Sequence, residues 1–241
     1  MISVPFKTVL WSAARKLGIS PETDGIDKAI AAQLVDGMNT SLKLAWEYHD
    51  WPQLMTTASY TVTAHPDTGG SRYLANVTGT GQDRFGTVFN IFDGDPRKAN
   101  AKRLKFLLLE DGYYLNQHAP ATVWVQHRRP CPTFTDAVYE ARLYAVDEVV
   151  YVPGDGLVYR CTALVSSGNT PAPGPSVAGW TTEYFPKFLA EAVKYGAVAS
   201  LNRTEGQSGT AAGIEAIMVE FLDHEIDLIA TQQRQQKYYQ S

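Results

Sequence analysis

The 241-residue chain predicts an α+β protein. Its first and last segments form a helical layer packed with an antiparallel β-sheet domain, and a small β insert interrupts the sequence before the last helices. Three observations carry this. Apolar residues recur at helical spacing over the first fifty and the last fifty residues. The middle consists of short alternating runs separated by Gly, Pro, Asp and Asn. The aromatic stretch "YAVDEVVYVPGDGLVYRCTALVSSGN", Tyr144 to Asn169, is too β-rich to belong to either helical end. The segments divide as 1–55, 56–143, 144–183 and 184–241.

Ser3 followed by Pro5 opens a first helix, with Phe6, Val9, Leu10, Ala13 and Leu17 on one face and Gly18 closing it. Ile26, Ile30, Leu34, Met38, Leu42 and Ala45 mark a longer helix. It must end before Trp51, because Pro52 disfavours helical backbone at the residue preceding it. Trp46 and Trp51 read as core anchors. "SYTVTA", "GTVFNIF", "RLKFLLLE" and "TVWVQHR" read as strands, the third half-buried through Leu104, Phe106 and Leu108. "HPDTGGSRY" and "NVTGTGQDRFG" read as loops. Two prolines stop "HRRPCPTFT" from continuing a central strand. In the insert, Val150, Val152, Leu157, Tyr159 and Cys161 suit two paired strands turning at "PGDG". "SSGNTPAPGPSVAG" wraps round them and returns Trp180 to their core. With both ends together, the insert should be removable. Phe185, Phe188, Leu189, Ala192 and Tyr195 mark the next helix, and Ile214, Ile217, Met218, Phe221, Leu222 and Ile229 the last.

Hydrophobic residues make up 44% of the chain and charged residues 19%, enough for a core and unlike a disordered segment. The net charge of −4 argues against a protein that grips nucleic acid through a basic face. No apolar run spans a bilayer, which implies no membrane, and the start does not read as a signal peptide. Cys131 and Cys161 suggest a reducing compartment rather than a zinc site, and Asn39, Asn76 and Asn202 are chance matches to a glycosylation sequon.

Signatures of chemistry fail one by one, and none points to an enzyme or a cofactor. "HEIDL" at His224 has Leu228 where a second zinc-binding histidine is needed, and "GQSGT" at Ser208 has Thr210 where a nucleophile elbow needs glycine. "DGDPRKAN" lacks the glycine and glutamate of a calcium loop. "HRRP" (His127, Arg128, Arg129) is the strongest basic cluster, read as a strand end tied to an acidic surface. The polar end "ATQQRQQKYYQS" carries Tyr238 and Tyr239, which offer large contact area at low entropy cost.

Taken in order, "AWEYHDWPQL", "VFNIFDGDPRKANAKRLKF", "VWVQHRRPCPTFT" and "EYFPKFLAEAVKYGAVASL", then a long helix and a Gln-rich end, resemble the head-to-tail adaptors of tailed bacteriophages, the podoviral tail tubular protein A group. The resemblance covers about four-fifths of the chain and rests on the order of weak motifs. It implies a structural protein of the virion neck, assembled in the host cytoplasm. Such a protein forms a ring, usually twelve-fold, under the portal protein and above a downstream tail or nozzle protein. DNA passes through its channel without tight binding, past an acidic or neutral wall. Thr231 to Ser241 would then order on the portal, anchored by Arg234, Lys237, Tyr238 and Tyr239.

The insert resembles small chitin- and cellulose-type carbohydrate-binding modules, through Tyr144, Val149 to Tyr151, Gly154, Tyr159, Cys161, Pro171 and Trp180. It departs at Asp147, where that pattern prefers glycine. Such a module would face outward, with Tyr159 and Trp180 either stacking on a glycan or forming its core. The competing reading is therefore a carbohydrate-binding or polysaccharide-associated protein.

Overall fold

The computed structural model describes residues 2–21, 25–64, 72–75, 87–98, 100–109, 112–115, 119–163, 173–174 and 177–239, with side chains of the last helix described up to 232. The fold is α+β. The chain divides into two compact units, 51–130 and the pair of segments 1–50 and 131–241. The sheet unit, expected to end at 143, thus ends at Pro130.

The discontinuous unit contains helices α1 (Phe6–Lys16), α2 (Lys28–Tyr48), α3 (Lys187–Thr204) and α4 (Ser208–Tyr239). Asp27 caps α2, its carboxylate accepting the Ala29 N–H at 2.8 Å. Gly18 stops α1 in the left-handed conformation at φ +79°, its N–H donating to the Arg15 carbonyl. α3 is central: α1, α2 and α4 all pack on it. It buries residues all round, from Leu189, Val193 and Ala197 to Ala192, Ala199 and Asn202, as an enclosed helix must.

Enclosure requires small residues at the crossings. A Cβ on Gly196 would fall 2.6 Å from Ser41 Cβ on α2 and 2.7 Å from Met218 Sδ on α4. A Cβ on Gly37 would lie 3.1 Å from the Ala197 backbone. α4 in turn buries one narrow stripe, Ala211, Met218, Leu222 and Ile229, at intervals of seven and four.

The helical ends meet through a pair of two-residue strands. β1 (Ser3–Val4) runs antiparallel to β13 (Phe185–Pro186). Ser3 is therefore a strand residue and does not open α1, and Phe185 precedes α3 rather than beginning it. Pro186 holds Phe185 out of helical backbone, and the ladder to Val4 uses its amide.

The sheet unit follows a 3-10 turn at Pro52–Leu54. It holds β2 (Met55–Thr61), β3 (Thr63–Ala64), β4 (Arg72–Ala75), β5 (Val88–Phe92), β6 (Arg103–Leu104), β7 (Phe106–Leu108), β8 (Gly112–Leu115) and β9 (Thr122–Arg128). These form two antiparallel four-stranded sheets, ordered β2-β9-β5-β6 and β3-β4-β8-β7. The chain passes between sheets at Val62 and again at Lys105, so the single strand expected in "RLKFLLLE" is two strands in different sheets. β4 and β8 are strands where no strand is expected, and Arg72 and Tyr73 leave the predicted loop. Ile91, Val123 and Val125 from one sheet meet Leu74, Tyr113 and Leu115 from the other in one core.

Gly196→Ala should destabilise the helical unit by about 1–3 kcal/mol, the usual cost of overpacking. Gly213→Ala, on α4 with nothing near its added Cβ, should gain up to about 1 kcal/mol from helix propensity. Thermal melts of both variants check this, and equal effects in the same direction would refute the packing argument.

Candidate functional site

The insert is a three-stranded antiparallel sheet, β10 (Val149–Val152), β11 (Leu157–Cys161) and β12 (Trp180–Glu183), with β11 central. "PGDG" makes the β10–β11 turn as expected. The third strand is additional. Tyr159 and Cys161 on one face of β11 oppose Thr182 and Trp180. With Tyr144 and Val150 they form a small core, onto which Tyr139 also packs. Tyr144 stands edge-on to Trp180 at 5.3 Å, and its hydroxyl both accepts from the Glu140 N–H and donates to the Glu140 carbonyl, each at 2.9 Å.

The two candidate glycan residues are both buried. Tyr159 is 0% and Trp180 6% exposed, so neither ring is open to stack on a sugar. The Tyr159 hydroxyl donates to Asp155 at 2.5 Å, and burial with that carboxylate raises its pKa. The aromatics are spent on cohesion, because a sheet this small has few other residues for a core. Pro171 lies outside the described residues.

The opposite face of the insert is equally occupied. Tyr151 stands edge-on to Phe6 of α1 at 5.8 Å, Phe6 stacks on Phe134 at 5.1 Å, and Phe134 meets Phe185 at 5.0 Å. The Lys7 N–H donates to the Gly156 carbonyl. On the same face Arg160 pairs with buried Glu183 and lies 3.8 Å from Asp147. Burial raises the Glu183 pKa, and Arg160 opposes the rise. The insert is therefore joined to α1, and removing it would take Tyr151 away from Phe6. Asp147 itself takes φ +74°, a left-handed turn that glycine adopts more readily.

The basic cluster closes β9, as expected of a strand end. His127 and Arg128 are buried. His127 Nδ1 donates to the Arg128 carbonyl at 3.0 Å, which leaves Nε2 to accept from the Tyr60 hydroxyl at 3.2 Å. Desolvation, with the charge of Arg129 adding to it, holds the His127 pKa below its ordinary value. Arg128 lies over the Phe89 ring. The exposed cations are elsewhere: Arg97, Lys98, Lys102, Arg103 and Lys105 cluster within nine residues of the sheet unit. Their close spacing in "PRKANAKRLK" was the available signal.

A groove of about 400 Å³ lies in the helical unit between α2 and the segment after Pro130, lined by Asn39, Lys43, Glu47, Cys131 and Thr133 among others. Asn39 exchanges two hydrogen bonds with the Phe134 backbone, at 2.8 and 2.9 Å. Its amide thus acts as a piece of strand, which also removes it as a glycosylation acceptor. Burial first, then the charges of Glu47 and Glu183, push the Cys131 thiol up to about 12. Such a thiol stays protonated and is a poor nucleophile. Cys131 and Cys161 are both free. Asn202 is buried in α3, and Asn76 lies outside the described residues.

α4 continues to Tyr239, so the backbone from Thr231, expected to order only on contact, is already helical. The side chains of Arg234, Lys237, Tyr238 and Tyr239 lie outside the described residues. Among the described residues no group of His, Cys, Asp and Glu is placed to hold a metal ion, and no helix is long and apolar enough to cross a membrane. Compared with known protein families and with curated proteins, the chain matches no family model and no curated sequence.

Both Asp147→Gly and Asp147→Val give up the contact with Arg160, but Asp147→Val should be less stable than Asp147→Gly by about 1–2 kcal/mol, because a β-branched side chain resists left-handed backbone. Equal stability of the two variants would remove the strain argument. His127 gives a pH signature. Its folded pKa lies below the unfolded value of about 6.5, so its contribution is present above that pH and is lost as the pH falls towards the folded value. The urea midpoint should fall between pH 7 and 5.5, and His127→Gln should flatten the decline.

Proposed function

We propose that this protein is a structural adaptor of a bacteriophage neck, which forms a ring under the portal protein and extends the DNA channel towards a downstream tail or nozzle protein. The observation that carries the reading is the interrupted helical unit. Segments 1–50 and 131–241 close on one another around α3, with a separate sheet unit of eighty residues threaded between them. That layout fits the adaptors which the ordered motifs resemble. It gives each protomer unlike surfaces, as a head-to-tail ring contact needs. The buried positions of Tyr159 and Trp180 take from the carbohydrate reading the residues it relied on.

Electron microscopy of a portal mixed with the protein should show an added ring of the portal's symmetry. Virions lacking the protein but carrying complete tails would end the proposal. Deletion from Thr231 onward begins beyond Ile229, a buried residue of α4. It should weaken portal binding while leaving the melting temperature nearly unchanged. In a gel shift at modest salt the protein should not bind duplex DNA tightly, since each retained phosphate contact would resist passage.

A further inference from the structure

The two units carry opposite charge. Residues 51–130 contain nine Lys and Arg against six Asp and Glu, net +3, and the remainder twelve against nineteen, net −7. Each excess is concentrated on one exposed element.

On the sheet unit that element is the segment from Arg103 to Leu109. β6 is an edge strand of one sheet and β7 an edge strand of the other, so one stretch of chain borders both. Arg103 and Lys105 are exposed on it, with Arg97, Lys98 and Lys102 just before. Asp95 accounts for Arg97, at 2.8 Å. Leu107, Leu108 and Leu109 follow, 60%, 55% and 46% exposed. An apolar edge of this kind is a site where another surface attaches unless it is covered.

On the helical unit the element is α4. From Ser208 to Gln233 it contains Glu215, Glu220, Asp223, Glu225 and Asp227 and no Lys or Arg. Arg203 pairs with Glu215. Glu220, Asp223 and Asp227 are exposed at helical spacing on the face away from the buried stripe, with exposed Ile217 and Leu228 at its shoulder. Tyr48 donates to Asp223 at 2.9 Å, which holds one of the three carboxylates in place.

We propose that the Arg103–Leu109 edge of one copy docks on the outer face of α4 of a second copy. The contact rests on the adaptor reading and names the surfaces that join neighbouring subunits. The two patches match in both respects. Cations meet carboxylates, and the leucines meet the apolar shoulder of Ile217 and Leu228. A nucleic-acid duplex would satisfy the cations through its phosphates, but that charged backbone offers the three leucines nothing apolar. Because the patches differ, the contact is heterologous and each copy keeps one of each patch for the next neighbour.

Charge exchange tests it. One variant carries Glu220→Lys, Asp223→Lys and Asp227→Lys, the other Arg103→Glu and Lys105→Glu. Each then presents two patches of like sign and should remain a protomer by sedimentation velocity at low salt. An equimolar mixture restores opposite signs at every contact and should assemble as the parent does, with the variants alternating, as native mass spectrometry of a mass-tagged pair would show. Circular dichroism confirms that each variant is folded, and Leu108→Asp serves as a second disruption should the triple change unfold α4. A mixture no heavier than its components overturns the proposal, as does either variant assembling alone like the parent. Duplex oligonucleotide binding lost with Arg103→Glu and Lys105→Glu while association persists would overturn it in favour of a nucleic-acid surface. A parent that self-associates through these patches but adds no ring to a portal would sink the adaptor reading and leave the contact standing.

Discussion

The absence of a side chain at Gly196 governs the helical unit. α2 and α4 both approach α3 at this residue, with Ser41 and Met218 close to the point where a Cβ would stand. Helices usually keep interaxial distances of about 8–10 Å, set by the side chains at the crossing. Small residues at Gly37, Ser41, Gly196 and Ala197 bring the backbones together here. α3 gives up intrinsic helix propensity at this glycine, and the burial of Leu34, Met38, Leu42, Leu189, Val193, Met218 and Leu222 around it offsets the loss. α1 and the β1–β13 pair then position the remaining elements of the unit against the central helix.

The insert extends the same economy to a sheet. Its three strands bury one face on Tyr144 and Trp180 and turn the other towards Phe6, with the Arg160–Glu183 pair at its border. A sheet covered on both sides has its aromatic rings engaged in packing, which removes them from ligand recognition. Its identity as a compact β insert and its structural attachment to α1 are therefore one physical fact.

Much of this was legible in local sequence. Pro52 ending α2, Gly18 ending α1, the "PGDG" turn and the return of Trp180 each depend on a few neighbouring residues with definite backbone preferences. What was not legible depends on distant partners. β1 and β13 are two residues each and have no periodicity to read, since Ser3 and Pro186 create one another as strand residues. β4 and β8 were hidden because "RYLA" and "GYYL" are short and lie among turn-forming residues. The break at Lys105 is a change of sheet, which alternation along one strand cannot signal. "HRRP" ends β9 as a strand end should, but the burial of His127 and Arg128 depends on the fold, and the exposed cations from Arg97 to Lys105 were not read as a cluster. The helical continuation past Thr231 was obscured because glutamines and lysine carry no apolar stripe.

The pairing of chain segments 180 residues apart also sets an order of events during synthesis. The sheet unit is contiguous, so all of its strands are available once Arg128 has left the ribosome. α1 and α2 are made before it, yet the helix that covers Leu34, Met38 and Leu42 begins only at Lys187. For the whole interval in which the sheet unit and the insert are being made, α1 and α2 present an uncovered apolar stripe to solvent. Domains generally fold as units, from the N-terminus, as they emerge. Here the helices made before the sheet unit wait for a packing partner made after it, which gives holdase chaperones a long opportunity on α1 and α2.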